Sequence, residues 1–380
     1  MNKKQKYYFF YLKTGGGHLA PARSLKNYIL KKYSEKAEPV LIDGFEKTPR
    51  FFRYIIEDGY RKLQYKAAWF YETLYAVNKF PPAAYITAFI VSLFCKKYIH
   101  EVLVKDNPEK IIVLHFFLIK PVYDAVKKYK LRTKIYTAVT DPYTAHPLWF
   151  LRSGQNYILF SERLSRHVQQ IRPESRVHVF PFVLDEKFSV KIADEKIPKI
   201  KDELGLPQNK KILLVMGGGD GIPHGEKIIE EILKEKTDAF IVIVCGRNKP
   251  LFEAAQRLRR KYNVKDMMIF GFVDFVYELL NASDILITKC GASTMMEILM
   301  MNKVPVVNDY IWEQEKGNIE FLIENHLGIY EPEINKLPFI LKKLIDDREY
   351  YDSFKKNISS LQLKNGTADV SEFLVNEEEF

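Results

Sequence analysis

The feature that most constrains the fold is a short apolar segment followed closely by glycines, which occurs once in each half of the chain. Tyr7 to Leu12 leads into Gly15 to Gly17, and Lys211 to Met216 leads into Gly217 to Gly219. A continuous apolar run of this length is typical of a parallel strand that is buried on both faces. The glycines mark a tight turn from strand to helix. Two such turns predict two α/β domains.

Strand and helix patterns alternate through both halves of the 380-residue chain, which predicts right-handed βαβ units and two parallel sheets. The predicted strands are 7–12, 40–42, 111–115, 135–139, 157–160, 177–180, 211–216, 239–245, 267–270, 285–288 and 304–307. We therefore predict an N-terminal domain over 1–184, a linker over 185–207 and a C-terminal domain over 208–380. For the last helix, the sequence allows packing either on the C-terminal domain or back on the N-terminal domain.

Composition narrows the class of protein. Apolar residues make up 47% and charged residues 28% of the chain, which is ordinary for a globular protein and excludes general disorder. The three cysteines are far apart, so neither a disulfide scaffold nor a zinc site is expected. The basic N-terminus leads into a short apolar run without a small-residue cleavage site, so we interpret it as a strand and not a signal peptide. These features suit the cytoplasm.

The positive charge is concentrated in the first half. Residues 1–185 carry 31 Lys and Arg against 15 Asp and Glu, whereas residues 186–380 carry 27 against 33. A basic half of this kind favours an anionic partner, either nucleic acid or an acidic membrane. No helix-turn-helix, RNP or zinc-finger pattern is present, which argues against nucleic acid.

Residues 51–104 are rich in aromatic and basic side chains and contain a 13-residue uncharged run, Ala83 to Cys95. A membrane span needs about 20 apolar residues, so this run is too short to cross a bilayer. It forms either a buried core helix or a helix that lies in the membrane interface, with lysines at the headgroups. On the second interpretation the membrane-contacting residues are Trp69, Phe89, Lys96 and Lys97.

The glycine turns are candidate phosphate sites. Gly16 and Gly17 in the first turn, and Gly218 and Gly219 in the second, allow a ligand to approach the backbone, and a helix N-terminus offers free N–H groups to an anion. His18 follows the first turn, where an imidazole can take a proton from an alcohol. The simpler alternative is two unrelated tight turns and a capping or surface histidine. The spacing of a dinucleotide-binding fingerprint is not met.

Two further motifs follow strands in the second half. Gly291 to Thr294 open a helix and offer backbone and hydroxyl donors to a phosphate, and Glu297 offers a carboxylate to two ribose hydroxyls. The alternative is an ordinary N-cap with a dipole-favoured glutamate. Gln314 and Glu315 follow strand 304–307, and their side chains are suited to binding sugar hydroxyls. The alternative is that they belong to a solvated polar loop.

Taken together, these residues resemble the monogalactosyldiacylglycerol synthase and processive diacylglycerol glucosyltransferase family, which is related to the MurG transferase. The resemblance spans about residues 7–330. The motifs that carry it, in chain order, are Thr14–His18, Val139–Asp141, His146–Phe150, Met216–Gly221, Cys245–Lys249, Gly271–Val273, Ile287–Glu297 and Asn308–Asn318. Two departures are Ala292-Ser293 and Trp312-Glu313, each at a place where many members have Pro-Gly.

The resemblance implies a GT-B fold, with two Rossmann-like parallel-sheet domains facing across a cleft. A UDP-sugar is then the co-substrate, with no bound cofactor or metal. The implied donor-binding residues are Gly16, Gly17, Gly218, Gly219, Arg247, Phe272 and Val273 (uracil), Gly291, Ala292, Ser293 and Thr294 (diphosphate), Glu297 (ribose), and Gln314 and Glu315 (sugar). The implied catalytic residues are His18 and, in support, Asp141. His146 and Trp149 are implied to lie on the acceptor side.

We therefore expect an enzyme of the EC 2.4.1 type that transfers a hexose from a UDP-sugar, with inversion, to diacylglycerol or a glycolipid. It would be cytoplasmic and peripherally bound to an anionic membrane surface. One alternative is another UDP-sugar enzyme, either a MurG-type N-acetylglucosamine transferase or an epimerase. A second alternative is a non-catalytic, membrane-bound protein that binds a nucleotide or a lipid.

Overall fold

The computed structural model describes residues 4–59, 68–235, 237–311 and 313–377. These residues form two compact units. Unit 1 comprises 4–186, 313–314 and 365–377, and unit 2 comprises 187–311 and 315–364. Residues 187–207, within the segment we predicted as a linker, belong to unit 2 and form short helical turns and one helix.

The sheet of unit 1 has six parallel strands in the order β2-β1-β3-β4-β5-β6. Its first strand is almost fully buried from Tyr7 to Phe10, as expected for a strand with helices on both faces. The strands are β1 (Gln5–Tyr11), β2 (Ala37–Asp43), β3 (Lys110–Val113), β4 (Lys134–Ala138), β5 (Asn156–Leu159) and β6 (Arg176–Val179).

Helices cover both faces of this sheet. They are α1 (Gly16–Tyr33), α2 (Arg50–Arg53), α3 (Ala68–Asn78), α4 (Pro81–Asp106), α5 (Phe116–Tyr129), α6 (Glu162–Ile171) and, from the C-terminal segment, α15 (Thr367–Asn376). A π-helical turn, Tyr54–Gly59, follows α2, and a 3-10 turn, Pro147–Phe150, follows β4. The C-terminal helix is held by Lys110, whose Nζ donates to the backbone carbonyls of Leu374 and Glu377.

The sheet of unit 2 also has six parallel strands, in the order β12-β11-β10-β7-β8-β9. They are β7 (Ile212–Met216), β8 (Phe240–Val244), β9 (Met267–Phe270), β10 (Ile285–Lys289), β11 (Val304–Asp309) and β12 (Ile329–Tyr330). The helices are α7 (Ile197–Glu203), α8 (Gly225–Lys234), α9 (Lys249–Lys261), α10 (Val276–Ala282), α11 (Ala292–Met300), α12 (Lys316–Glu324), α13 (Leu337–Asp346) and α14 (Arg348–Ser360).

Each strand order reverses once, and ligands of open α/β sheets bind at such a point, outside the carboxyl ends of the strands. In unit 1 the reversal lies between β1 and β3, so the loop with Gly15 to Gly17 and the residue His115 share this edge. In unit 2 the strand order reverses between β7 and β10. The loops that follow these two strands, Gly217 to Gly219 and Gly291 to Thr294, are therefore neighbours.

The helix α4 carries the 13-residue uncharged run and has two different faces. Small and apolar side chains such as Ala88 and Cys95 are buried in the core. Large apolar side chains are exposed on the other face: Tyr85, Ile86, Phe89, Ile90, Leu93 and Phe94. The described part of the chain contains no helix that is both long and apolar enough to span a bilayer. The run therefore belongs to the core on one side only.

Candidate functional site

Three histidines form a buried cluster at the carboxyl edge of the unit 1 sheet. His18 lies at the start of α1, His115 follows β3, and His146 lies in the loop after β4. The ring centroids of His18 and His115 are 4.5 Å apart. The ring of Phe116 stacks on His146 at 4.8 Å and also follows β3. The fold thus brings together His18 and His146, two of the residues predicted from the sequence.

Each histidine is oriented by a hydrogen bond. Nδ1 of His18 lies 2.8 Å from Oγ1 of Thr140, and Nε2 of His115 lies 3.2 Å from Oγ1 of Thr14. Nδ1 of His115 accepts from the backbone N–H of Phe117. Because a neutral imidazole that accepts at one nitrogen carries its proton on the other, His115 donates to Thr14. Both threonines lie in motifs quoted from the sequence, Thr14–His18 and Val139–Asp141, but no role was predicted for them.

Burial keeps all three rings uncharged. It lowers the pKa of His18 to about 4 and that of His146 to about 3. The pKa of His115 is lowered well below its usual range by burial and by the two neighbouring histidines. A neutral imidazole is the form that accepts a proton, and the lowered pKa also makes His18 a weaker base than a free imidazole.

Asp141 is engaged on both carboxylate oxygens. Oδ2 accepts from the indole Nε1 of Trp149 at 3.2 Å, and Oδ1 accepts from Nε2 of Gln314 at 3.1 Å. Thr144 donates to the backbone carbonyl of Gln314. The side chain that shares a hydrogen bond with His18 is Thr140, one position before Asp141. Asp141 holds Trp149 and Gln314, and all four of these residues belong to unit 1.

The glycine loop after β7 has a backbone that needs glycine. Gly218 adopts φ +83°, in the left-handed region that favours this residue. At Gly246 a Cβ atom would lie 2.4 Å from the carbonyl oxygen of Gly219, so the loops after β7 and β8 pack backbone to backbone. The N–H of Arg247 donates to the same Gly219 carbonyl at 2.8 Å. Gly16 and Gly17 form the exposed first turn of α1.

The first turn of α11 is a second candidate anion site in unit 2. No side chain caps this helix, so N–H groups near Ala292 and Thr294 remain available to a ligand. The Ser293 hydroxyl is buried and has no hydrogen-bond partner among the described residues. The same holds for the side-chain oxygens of Asn308 and Asn318. Buried polar atoms normally have partners, so this end of the sheet is suited to a polar ligand.

An arginine and an aromatic ring form the outer part of the unit 2 site. The guanidinium of Arg247 lies 4.5 Å from the centroid of the Phe272 ring, which is 59% exposed. Val273 follows directly, and Glu297 lies in α11 and is half-buried. An exposed ring stacked on a cation is a surface on which a planar base can lie.

An ion pair that the sequence did not reveal lies beside the α11 loop. Nζ of Lys289 is 3.1 Å from Oε1 of Glu315 and would be 3.1 Å from a Cβ atom at Gly291. Oε2 of Glu315 accepts from the N–H of Ile311, and Asn318 donates to the Cys290 carbonyl. Glu315 therefore fixes the loop before α12, and Lys289 places a positive charge at the first turn of α11.

The predicted membrane-contacting residues lie on the surface of unit 1. Trp69 on α3 is 71% exposed and Phe89 on α4 is 53% exposed. Lys96 and Lys97 follow the apolar run on α4 and are also exposed. Some residues of the predicted aromatic and basic segment lie outside the described residues: Arg61, Lys62, Tyr65 and Lys66. Trp312, which is part of one departure from the family pattern, also lies outside the described residues.

Glu313 stands where many members of the resembled family have glycine, and it adopts φ +59°. Its carboxylate pairs with Lys79 at 3.0 Å. Among the described residues, no group of three His, Cys, Asp or Glu side chains is arranged to hold a metal ion.

Comparison with known proteins identifies both halves. Residues 18–182 match the family model for monogalactosyldiacylglycerol (MGDG) synthase, and residues 212–363 match the model for the glycosyltransferase family 28 C-terminal domain. These two matches confirm the resemblance inferred from the motifs.

Individual relatives agree with the family models. The chain is 28% identical over 331 residues to monogalactosyldiacylglycerol synthase 2 of Arabidopsis thaliana, covering 83% of this chain and 69% of that protein. It is 26% identical to a probable monogalactosyldiacylglycerol synthase of Nicotiana tabacum, covering 88% and 64%. It is 27% identical to the processive diacylglycerol beta-glucosyltransferase of Bacillus pumilus, covering 73% and 71%. The chain thus spans about two thirds of the length of these relatives.

Solved structures share the fold. MurG of Acinetobacter baumannii matches with a TM-score of 0.61 at 13% identity, covering 98% of this chain and all of that one. UGT89C1 of Arabidopsis thaliana, solved with UDP, matches with a TM-score of 0.65 at 14% identity, covering 98% and 99%. The two parallel sheets confirm the predicted fold class. The chain therefore has a GT-B fold, with a first half that is similar to monogalactosyldiacylglycerol synthases and a second half that is similar to the glycosyltransferase family 28 C-terminal domain.

Proposed function

We propose that this protein transfers a hexose from a UDP-sugar to diacylglycerol or a glycolipid at a membrane surface, with inversion at the anomeric carbon. Similarity to these relatives supports a glycolipid product, because they are named as monogalactosyldiacylglycerol synthases and a diacylglycerol glucosyltransferase. The observation that carries the proposal is the buried cluster of His18, His115 and His146 at the carboxyl edge of the unit 1 sheet.

In the proposed reaction, His18 takes the proton of the acceptor hydroxyl. The acceptor oxygen then bonds to the anomeric carbon of the sugar while the bond from that carbon to the diphosphate breaks. Thr140 and the Leu114 backbone orient the imidazole, and burial keeps it neutral while making it a weaker base than a free imidazole. We assign Asp141 a positioning role, since it holds Trp149 on the acceptor side and Gln314 beside the sugar.

The leaving UDP binds in unit 2 in this proposal. The uncapped first turn of α11, with Ser293 and Thr294, stabilises the negative charge that develops on the diphosphate. Lys289, which is paired with Glu315, places its ammonium group beside this turn. Glu297 accepts the ribose hydroxyls, and the uracil lies near Phe272. Structures with this fold have been solved with UDP or with UDP-glucose, which supports a nucleotide site of this kind.

We further propose that unit 1 binds peripherally to an anionic membrane through the exposed apolar face of α4 and the neighbouring residue Trp69. Exposed apolar side chains in one contiguous patch are unusual on a soluble surface. Lysines at the edge of the patch suit the headgroup region. Docking at this face would bring a diacylglycerol acceptor to the protein within the plane of the membrane.

The test is to incubate the protein with vesicles that contain diacylglycerol and with radiolabelled UDP-glucose, UDP-galactose or UDP-N-acetylglucosamine in turn. We expect one donor to give a labelled glycolipid and free UDP. Label transferred only to a polyprenyl-linked peptidoglycan precursor would favour a MurG-type transferase. Interconversion of UDP-sugars without lipid product would indicate an epimerase. Absence of all three reactions would contradict the proposal and favour a non-catalytic role.

A further inference from the structure

The loop after β11 carries a residue whose backbone conformation is unusual. Glu313 adopts φ +59°, in the left-handed region that disfavours residues with a Cβ atom. A residue in such a conformation persists only where the surrounding structure holds it there. The side chain of Glu313 has no part in the reaction proposed above, so its contacts require a separate explanation.

An ion pair holds Glu313 within unit 1. Its Oε2 lies 3.0 Å from Nζ of Lys79, the residue that follows α3. The Lys79 side chain is 48% exposed and the Glu313 side chain is 28% exposed. An ion pair this exposed contributes little to the stability of the whole chain. Its attachment to a conformationally disfavoured residue therefore favours a local role, in fixing the loop.

The lysine is placed by a helix end that packs on the histidine cluster. Tyr75, in the last turn of α3, is buried, and its ring meets the ring of His146 edge-on at 4.6 Å. Nζ of Lys79 lies 5.8 Å from the centroid of the Tyr75 ring, and the N–H of Lys79 donates to the Ala76 carbonyl. The ammonium group that meets Glu313 therefore extends from a well-packed part of unit 1.

The next residue, Gln314, is held in unit 1 by two hydrogen bonds. Its Nε2 donates to Oδ1 of Asp141 at 3.1 Å, and its backbone carbonyl accepts from Oγ1 of Thr144 at 2.9 Å. An ionised carboxylate only accepts hydrogen bonds, so the amide of Gln314 must turn its nitrogen towards Asp141. The oxygen Oε1 is then on the other side of the amide group, where it can accept a hydrogen bond from a sugar hydroxyl.

These contacts fix two successive residues, so they constrain one another. Lys79 holds residue 313, while Asp141 and Thr144 hold residue 314. Without the ion pair, the backbone of Glu313 is free to leave the left-handed region, which turns the peptide that joins it to Gln314. A displacement of about 1 Å is enough to impair a contact that positions a substrate.

We propose that Lys79 and Glu313 are positioning residues that hold Gln314 for the hexose of the sugar nucleotide. Neither side chain needs to touch the sugar, because both act through the backbone of residue 313. This inference rests on the proposed function, which places Gln314 beside the sugar. It adds to that function an ion pair on which binding of the hexose depends and binding of the nucleotide does not.

The test measures the affinities of UDP, UDP-glucose and UDP-galactose for the full chain by calorimetric titration, without an acceptor. The variants are Lys79→Met, Glu313→Gln and the two combined. The matched control is Lys31→Met, which removes another exposed ion pair of unit 1, between Lys31 and Glu186 at 2.8 Å. Because all of these side chains are at least partly exposed, we expect every variant to keep the wild-type melting temperature.

The decisive comparison is between UDP and whichever of the two sugar nucleotides the wild type binds more tightly. We expect each single variant to bind that sugar nucleotide about fivefold more weakly, the upper end for an exposed ion pair, and UDP within about 1.5-fold. The double variant should bind no more weakly than either single variant, since both changes remove the same pair. The control should bind all three nucleotides as the wild type does.

Three results would overturn the inference. They are wild-type affinity for the sugar nucleotide in the single variants, losses that multiply in the double variant, and an equal loss of affinity for UDP. The last would assign the pair to the nucleotide site or to folding. Because these titrations measure binding alone, they test the pair whether or not transfer occurs. Absence of transfer by the wild type contradicts the proposed function and leaves the titration results to decide this inference.

Discussion

At the scale of single residues, the structure keeps three titratable groups uncharged in one buried cluster. His18, His115 and His146 each have a pKa lowered by burial. A ring that is neutral in the folded chain, and that takes a proton near pH 6.5 when the chain unfolds, makes folding depend on pH. The arrangement that suits proton transfer is therefore one that acid should disrupt.

We predict that the free energy of unfolding falls as the pH is lowered from 7 to 5. In this range the unfolded chain binds a proton at His18 and the folded chain does not, because the folded pKa is about 4. The loss for His18 alone is about 2 kcal/mol, and the other two histidines add to it. Urea unfolding followed by tryptophan fluorescence measures this. The variant His18→Gln should show a smaller pH dependence, and an unchanged wild-type midpoint between pH 7 and pH 5 would contradict the account.

The sequence predicted some contacts of the site and not others, for a physical reason. His18 and the α11 loop follow directly from strands, so their place at a sheet edge was predictable. The hydrogen bond between Thr140 and His18 and the ion pair of Lys289 with Glu315 join residues far apart in sequence. Such pairs depend on strand order and side-chain direction, which periodicity does not report.

At the scale of elements, most strands were predicted closely, but β12 was not predicted and β2 is longer than the predicted 40–42. For the uncharged run, the sequence left two interpretations open. The strand predicted over 267–270 is Met267–Phe270, and the one predicted over 7–12 is Gln5–Tyr11. Continuous apolar runs between turns leave little freedom in these bounds. The run Ala83 to Cys95 combines both alternatives, because one face of α4 is in the core and the other is exposed. Composition alone does not divide a helix into faces.

We predict that Phe89→Ser weakens binding to neutral phosphatidylcholine vesicles about tenfold. Burying one aromatic side chain in an apolar environment contributes about 1.5 to 3 kcal/mol, and Phe89 is exposed enough to insert. The matched control is Phe339→Ser on α13 in unit 2, where the ring is 75% exposed. The control should bind normally. Equal binding by both variants and the wild type would contradict docking through α4.

At the scale of the whole molecule, the excess of positive charge and the residues proposed to act on the lipid acceptor lie in the same half of the chain. The first half carries the excess of Lys and Arg, the apolar face and the histidine cluster. The second half has more acidic than basic residues and carries the loops assigned to the nucleotide. The proposal therefore assigns the lipid acceptor and its deprotonation to unit 1, and the nucleotide of the donor to unit 2. This separation is the central claim.

The most direct test of that claim measures transfer and UDP affinity on two variants in parallel, with calorimetric titration of UDP. We expect His18→Ala to lower the transfer rate at least about a hundredfold, as for loss of a general base, and to leave UDP affinity within about twofold. Glu297→Ala should instead weaken UDP about tenfold, as for loss of a hydrogen bond to a charged group. Near-normal transfer by His18→Ala, or unchanged UDP affinity in Glu297→Ala, would contradict the division of roles between the two units.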